Sequence, residues 1–269
     1  MQIVIDSKTL HARLDNPDLR IVSLCGSNEF RYKRIPGAIS IDYNEVIDGN
    51  KPIIGQIPSN EKLQRLTDRI GLRAGLHVIA YDDEGGGYAA RLAWTLHLIG
   101  HEAVSVLDGG IHAWLHDGYR IITHEIDLEY ENRPHTSEVV NANVLATRDY
   151  ILARLNLPSL QLLDVRSKEE YLGLRRLALR GGHIPGAVNL EWVQAIDKKR
   201  QLRLKNQHEL NAMLSELGIT HNQEIVVYCQ THHRSAHSWM MLRHLGFSEV
   251  RGYAGSWSEW GNDPDTPIE

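Results

Sequence analysis

Short apolar runs alternate with longer stretches of helical periodicity in both halves of the chain. In the second half, the apolar run EIVVY precedes SAHSWMMLRHLG, which has helical spacing and ends at Gly246, a residue typical of a helix C-terminus. TRDYILARL and NQHELNAMLSELG also predict helices, whereas LQLLDV and GAVNL predict strands. Continuous β-branched runs such as IVVY are typical of parallel strands that are covered on both faces. The alternation therefore predicts an α/β fold with mainly parallel sheets.

The same pattern occurs twice along the chain. Three pairs of segments match: 34–42 with 183–191, 77–87 with 224–234, and 97–114 with 243–260. Tyr81 and Tyr228 are 147 positions apart, and Trp114 and Trp260 are 146 positions apart. A nearly constant offset of this length indicates two duplicated domains rather than a short repeating unit.

Length and composition agree with two domains. A chain of 269 residues is long for one compact α/β domain, and its 42% hydrophobic content is enough for a core in each half. The polar stretch between the halves shows no sustained periodicity. We predict one domain at residues 1–124, a linker at 125–142 and a second domain at 143–269.

Charge and cysteine content limit the partners and the compartment. A formal net charge of −5 makes nucleic acid and anionic membrane unlikely as partners, so an anion site must be local. Two cysteines cannot form a disulfide framework, and the chain shows neither a leader pattern at its start nor an apolar run of membrane-spanning length. We expect a cytoplasmic protein whose cysteines are free thiols.

Cys229 stands where an α/β fold places its chemistry. It follows EIVVY directly, and ligands of parallel sheets gather at the carboxyl ends of the strands. Backbone N–H groups of the next loop, the N-terminus of the following helix and a nearby arginine all favour the thiolate, which is the nucleophile. We predict Cys229 as the catalytic nucleophile, in an anion cradle formed by Gln230, Thr231, His232, His233, Arg234 and Ser235.

Three other interpretations of this segment are possible. An inert buried cysteine suits Cys25, which has no close cationic neighbour in the sequence, better than Cys229. A metal site could use Cys229, His232, His233 and His237, but no second ligand cluster stands at zinc-site spacing, so no metal is expected. Cysteine phosphatases have five residues between cysteine and arginine, whereas this loop has four. The shorter loop favours a single extra sulfur atom over a phosphate group.

The motifs together resemble a protein family. GHIPGAVN, the strand–cysteine–loop–helix unit and GYAGSWSEWG resemble the tandem-domain rhodaneses (thiosulfate sulfurtransferases), especially bacterial ones with the loop CQTHHR. The resemblance implies two rhodanese-like domains, each with a five-stranded parallel sheet flanked by helices, and no cofactor. It also implies that only the second domain is catalytic. In the first domain, Asp82 stands at the position that corresponds to Cys229. Tyr88 and Trp192 are candidates for the substrate cleft.

The resemblance further implies a reaction through a persulfide. The Cys229 thiolate takes the outer sulfur of thiosulfate and passes it to cyanide, a dithiol or a sulfur-accepting protein. The active-site loop of the 3-mercaptopyruvate sulfurtransferases is neutral, whereas this loop is cationic. Thiosulfate is therefore the expected donor, and 3-mercaptopyruvate is the alternative. A non-catalytic module that stores sulfur remains a further alternative. In LDVRS, Asp164 and Arg166 match a recurrent family pair, for which we expect a structural role.

Overall fold

The computed structural model describes residues 2–123, 139–155 and 157–269. Most of the predicted linker, 125–142, therefore lies outside the described residues. The strands are β1 (Val4–Ile5), β2 (Leu19–Ser23), β3 (Ala38–Ser40), β4 (Asp48–Asn50), β5 (Ile53–Gln56), β6 (His77–Tyr81), β7 (Val104–Leu107), β8 (Leu145–Ala146), β9 (Leu160–Asp164), β10 (Val188–Asn189), β11 (Ile196–Asp197), β12 (Arg203–Leu204), β13 (Glu224–Tyr228) and β14 (Val250–Tyr253). The α-helices are α1 (Ser7–His11), α2 (Asn60–Ile70), α3 (Gly87–Leu98), α4 (Gly110–His116), α5 (Arg148–Leu152), α6 (Lys168–Tyr171), α7 (Gln207–Glu216), α8 (Arg234–His244) and α9 (Ser256–Trp260).

The chain forms two compact units. The amino-terminal unit contains Met1–Ile47, Pro58–Val140 and Asp197–Leu204, and the carboxy-terminal unit contains Asp48–Ile57, Asn141–Ile196 and Lys205–Glu269. Each unit thus includes one short segment from the other half of the sequence. The division predicted at 1–124, 125–142 and 143–269 does not anticipate these two segments.

Each unit has one five-stranded sheet. The amino-terminal sheet has the order β1-β7-β6-β2-β3 and the carboxy-terminal sheet the order β10-β9-β13-β14-β8, with parallel pairing in both. The predicted α/β fold with two parallel five-stranded sheets is therefore confirmed. The duplication extends to side chains, because the Tyr81 hydroxyl accepts a hydrogen bond from Ile35 N–H and the Tyr228 hydroxyl accepts one from Ile184 N–H, both at 3.1 Å.

The apolar runs form the central strands. Every residue of β6 is buried, and all but the first residue of β13 are buried, as expected for strands covered on both faces. Below one face of the carboxy-terminal sheet, a core cluster includes Ile151, Tyr228, Tyr253, Trp257 and Trp260. Trp257 and Trp260 are only 1% and 0% exposed, so they are packing residues of this core.

Local capping sets the ends of the helices. The Asn206 side chain accepts a hydrogen bond from Glu209 N–H, and the Glu209 carboxylate accepts one from Asn206 N–H, which starts α7 with a capping box. Helix α8 begins at Arg234, one residue before the predicted start. It ends as predicted before Gly246, whose φ of +89° is a left-handed conformation that glycine adopts without strain. Within the described ranges, no helix has both the length and the apolar character needed to cross a membrane.

Candidate active site

The site begins where the central strand β13 ends. Cys229 follows Tyr228, and its residue is only 1% exposed. Its N–H donates to Ser256 Oγ at 3.3 Å, and its carbonyl accepts from Trp257 N–H at 2.9 Å. The next carbonyl, that of Gln230, accepts from Ser258 N–H at 3.0 Å. The start of α9 therefore fixes the first two residues of the loop.

Several donors converge on the sulfur atom. Ser235 Oγ lies 3.4 Å from Cys229 Sγ, and the backbone N–H groups of Thr231 and Ser235 also hydrogen-bond to the sulfur. His232 turns the loop back on itself with a left-handed φ of +56°. These contacts form a ring of donors around one atom, which is the arrangement that stabilises a sulfur anion.

The environment favours the thiolate of Cys229. Burial is the largest influence and raises the pKa of the thiol, since a charge is costly away from water. The positive charge of Arg234 and the hydrogen bonds from Ser235 and Thr231 act in the opposite direction. Together they exceed the effect of burial, so the pKa of Cys229 lies below its usual value.

Cys25 provides an internal comparison. It also follows a strand, β2, but it is half-buried beside Asp82 and Asp83. Burial is again the largest influence, and the two carboxylates add to it, so the pKa of Cys25 is raised far above its usual value. The contrast supports the interpretation of Cys25 as inert, because a thiol that stays protonated is a poor nucleophile.

Arg234 is held in place by Glu170. Its two terminal nitrogens donate to the two Glu170 carboxylate oxygens at 2.6 and 2.9 Å, a bidentate ion pair. Glu170 is also the third residue of α6, where its carboxylate accepts from Ser167 N–H in a capping box. Burial raises the pKa of Glu170, but its contacts with Arg234 outweigh this and leave it below the usual value. The guanidinium thus stays charged and fixed beside the sulfur.

Ser235 connects His232 to the sulfur. His232 Nδ1 lies 2.7 Å from Ser235 Oγ, and both residues are buried. When the Ser235 hydroxyl donates to the sulfur, its oxygen accepts from His232, so the imidazole proton belongs on Nδ1. His232 therefore donates to the hydroxyl that in turn donates to the sulfur.

Gln230 and Trp192, two other predicted site residues, contact neighbours of the loop. Gln230 points away from it and donates through Nε2 to the Leu177 carbonyl at 3.1 Å. Trp192 packs against the loop side of α8, with ring centroids 5.8 Å from His233 and 5.3 Å from His237. Burial and the neighbouring His233 lower the pKa of His237 to about 3, so this imidazole is neutral. Among the described residues, no group of three potential ligands that could hold a metal ion is present.

The amino-terminal unit has an equivalent loop that holds a carboxylate. Asp82 follows β6 as Cys229 follows β13, and its carbonyl accepts from Ile111 N–H at 3.0 Å. The Asp82 carboxylate accepts hydrogen bonds from the N–H groups of Glu84, Gly86 and Ala89 at 3.1, 2.8 and 3.0 Å. The chain's own anion therefore occupies the ring of donors in this loop.

Burial affects the ionisation of Asp82, and Tyr88 packs within the same unit. Burial raises the pKa of Asp82 to about 6, with a smaller contribution from the charge of Glu84, while the three N–H donors oppose the rise. Tyr88 lies on α3 of the same unit, where its ring contacts Tyr43 at a centroid distance of 4.3 Å. Its predicted place in the substrate cleft stays a prediction.

Asp164 and Arg166 form the expected structural pair. Their side chains make an ion pair at 2.5 Å and are 0% and 1% exposed. Arg166 also donates to the Gly182 carbonyl at 2.7 Å and lies 4.3 Å from the Trp257 ring centroid. This network joins β9 to the segment before β10 and to α9, so it supports the end of the sheet that bears Cys229.

Three contributors to the site were missed in the sequence. Glu170 had a signal, because Ser167 and Glu170 have the spacing of a capping box, but that signal predicts only a helix start. Ser256 has no signal beyond the GYAGSWSEWG motif, which by itself indicates no chemistry. Gly55 on β5 lies so close to the loop that a Cβ there would be 2.2 Å from the Thr231 carbonyl oxygen. Nothing in the local sequence relates Gly55 to Thr231.

Comparison with known proteins identifies relatives along the whole chain. The family model described as a rhodanese-like domain matches residues 6–117 and 147–263. A thiosulfate sulfurtransferase from Azotobacter vinelandii is 42% identical, with 100% of this chain and 97% of the relative covered. One from Pseudomonas aeruginosa is 37% identical over the same shares, and the sulfur carrier protein TtuD from Thermus thermophilus is 32% identical, with 99% of this chain and 96% of the relative covered.

Solved structures agree on the fold. The anaerobic ergothioneine biosynthesis enzyme from Chlorobium limicola, in complex with trimethyl histidine, is similar with a TM-score of 0.86 at 22% identity. The similarity covers 99% of this chain and 70% of that one. The fold, the duplicated strand-end loops and the two matched domains lead to one conclusion: the chain belongs to the rhodanese family and has two rhodanese-like domains.

Proposed function

We propose that the protein is a thiosulfate sulfurtransferase that works through a persulfide on Cys229. The observation that supports this most strongly is the ring of donors around Cys229 Sγ, which lowers the pKa of the thiol although the residue is buried. Relatives named thiosulfate sulfurtransferase, matched along the full chain, support the same donor. The amino-terminal unit is the catalytically inactive copy, because Asp82 offers a carboxylate where a thiolate is needed.

In the first half-reaction, the Cys229 thiolate attacks the outer sulfur of thiosulfate. A new S–S bond forms to Sγ while the S–S bond of thiosulfate breaks, and its electron pair leaves with sulfite. The total charge of −3 is the same before and after this step, so no proton has to move. Arg234 faces the incoming dianion with a fixed positive charge, and the donors on Ser235 and Thr231 stabilise the persulfide anion.

In the second half-reaction, a thiophilic acceptor attacks the outer sulfur of the persulfide. The bond between Sγ and that sulfur breaks, and its electron pair returns to Cys229 as the thiolate. Cyanide yields thiocyanate, and a thiolate yields a new persulfide on the acceptor. Because sulfur chemistry of this kind requires a free thiolate and no added cofactor, we place the protein in the reducing cytoplasm.

The nearest alternative is 3-mercaptopyruvate as the donor. The fixed positive charge of Arg234 favours the dianion thiosulfate over a monoanionic donor, since the attraction grows with the charge of the ligand. A cysteine phosphatase would instead need room for a tetrahedral group in the loop. Gln230 and Trp192 are proposed to act on substrate indirectly, by shaping the surroundings of the loop.

Steady-state kinetics with both donors and cyanide test the proposal. We expect kcat/KM to be higher with thiosulfate than with 3-mercaptopyruvate. Cys229→Ser should have no activity with either donor, while the control Cys25→Ser should retain it. Higher kcat/KM with 3-mercaptopyruvate would overturn the choice of donor, and activity in Cys229→Ser would overturn the proposed nucleophile.

A further inference from the structure

Exposed leucines and arginines are concentrated beside the active-site loop. Within residues 172–179, which we call the leucine–arginine segment, four leucines are exposed: Leu172 at 52%, Leu174 at 76%, Leu177 at 48% and Leu179 at 79%. Arg175 and Arg176 between them are also exposed. Large apolar side chains that are exposed together, with arginines among them, are typical of surfaces that bind another macromolecule.

The backbone of this segment is fixed. Leu174 N–H and Arg175 N–H both donate to the Glu169 carbonyl, at 2.9 and 3.0 Å, and Leu179 N–H donates to Asn262 Oδ1 at 2.9 Å. The leucines are therefore presented by an ordered segment, and an incoming partner would pay little to order it.

Hydrogen bonds join this part of the chain to both ends of the active-site loop. Gln230, the residue after Cys229, donates through Nε2 to the Leu177 carbonyl at 3.1 Å. Glu170, two residues before Leu172, binds Arg234 at the other end of the loop. A molecule bound to the segment would thus lie beside the active-site loop.

A large sulfur acceptor would need such a surface. Cys229 is 1% exposed, and the outer sulfur of a persulfide extends only about 2 Å beyond Sγ. Cyanide can reach that sulfur unaided, but a thiol on a protein must be positioned by contacts around the loop. The leucine–arginine segment supplies apolar contact area and positive charge at that position.

The charge of the segment defines the partner. Residues 171–182 include Arg175, Arg176 and Arg180 and no carboxylate, although the whole chain has a net charge of −5. Arg180 is engaged with carbonyls of the carboxy-terminal tail, and Arg175 lies near the carboxylate of Glu169, so Arg176 faces a partner most directly. A complementary surface is acidic and has apolar side chains that cover the leucines.

We propose that the leucine–arginine segment docks an acidic protein thiol that accepts sulfur from Cys229. The proposal rests on the proposed function, because it requires the persulfide. The acceptor thiolate attacks the outer sulfur, the bond to Sγ breaks, and its electron pair stays on Cys229. One persulfide anion and one thiolate thus become one thiolate and one persulfide anion, with the total charge unchanged and no external oxidant. The contact with Gln230 favours a thiol partner over a lipid surface, which would make no use of the sulfur.

The proposal is tested with two cysteine peptides of equal length and equal leucine content. One peptide is rich in glutamate and the other is rich in lysine. The persulfide form of the full chain is mixed with each, and sulfur transfer to the peptide is followed by mass spectrometry. At low salt we expect transfer to the acidic peptide to be about tenfold faster, because the opposite charges raise the encounter rate. Salt should reduce the difference.

Variants locate the effect. Arg175→Glu combined with Arg176→Glu should remove or reverse the preference, and Leu174→Ser combined with Leu179→Ser should slow transfer to both peptides severalfold. The matched controls are Arg120→Glu and Leu157→Ser, which alter an exposed arginine and an exposed leucine elsewhere. All of these variants should transfer sulfur to cyanide at the wild-type rate.

The outcomes separate the two proposals. Equal rates for the two peptides, or an unchanged preference in the charge-reversed variant, would overturn the docking proposal. The proposal would also be overturned if the wild type bound anionic lipid vesicles, the charge-reversed variant did not, and the wild type did not discriminate between the two peptides. If the wild type fails to transfer sulfur even to cyanide, the proposed function itself is wrong.

Discussion

Replacement of Gly55 by alanine should damage the active-site loop from a distance in the sequence. Gly55 lies on β5 with a φ of +87°, and a Cβ there would be 2.2 Å from the Thr231 carbonyl oxygen and 2.9 Å from Thr231 Cβ. Both neighbours belong to the loop after Cys229, and the preceding residue of β5, Ile54, accepts a hydrogen bond from Ser258 Oγ at 3.2 Å. Strand β5 is therefore packed closely against the residues that hold the sulfur.

The expected cost has two parts. A left-handed conformation costs an alanine about 1–2 kcal/mol. The overlap with Thr231 adds about 1–3 kcal/mol, as is typical of overpacked interiors. The free energy of unfolding should fall by about 2–5 kcal/mol in total. Displacement of Thr231 also removes its N–H from the sulfur, and misplacements of about 1 Å can lower rates by about a hundredfold.

Gly218→Ala is the matched control. Gly218 has a similar φ of +72°, but a Cβ there would meet no atom within 4 Å. It should lose only the conformational part, about 1–2 kcal/mol, and keep wild-type activity. Urea unfolding and kcat/KM for thiosulfate should be measured on both variants at a temperature where both are folded. Equal stability and equal activity in the two variants would refute the reasoning, since they would show that the contact with Thr231 has no effect.

Three further predictions concern charges and hydrogen bonds. Ser235→Ala removes a donor to Cys229 Sγ that favours the thiolate, so the pKa of Cys229 should rise and the acidic limb of the kcat/KM profile should move to higher pH; an unmoved limb would contradict this. Glu170→Gln should lower kcat/KM for thiosulfate about tenfold, because Arg234 loses the charged partner that orients it, whereas an increase would show that Glu170 mainly repels the donor. Asp82 has a pKa of about 6 when folded against 3.8 when unfolded, so its ionisation destabilises the fold as the pH rises through this range. The free energy of unfolding of Asp82→Asn, relative to wild type, should therefore increase by about 2 kcal/mol between pH 4 and pH 7 in urea titrations.

The sequence was informative where structure depends on neighbours along the chain. The run EIVVY predicts a central strand because burial on both faces leaves no polar alternation. A cysteine placed directly after it is then at the ligand-binding edge of the sheet. The spacing of Tyr81 and Tyr228 predicts the duplication, and the structure shows equivalent hydrogen bonds from both hydroxyls.

The parts that were missed depend on residues that are distant in the sequence. The pairing of Glu170 with Arg234 requires α6 to lie beside the start of α8, which no local pattern indicates. The contact of Gly55 with Thr231 requires a segment of the first half to belong to the carboxy-terminal unit. Such placements are set by packing of the whole unit, and a single sequence contains no direct record of them.

The most direct test of the account is the intact mass of the protein after brief treatment with thiosulfate and desalting. Wild type and the Cys25→Ser control should gain the mass of one sulfur atom, and cyanide should remove it. Cys229→Ser should gain nothing, because the remaining thiol of Cys25 has a strongly raised pKa and no ring of donors. A gain of sulfur in Cys229→Ser, or no gain in wild type, would contradict a thiosulfate-derived persulfide on Cys229.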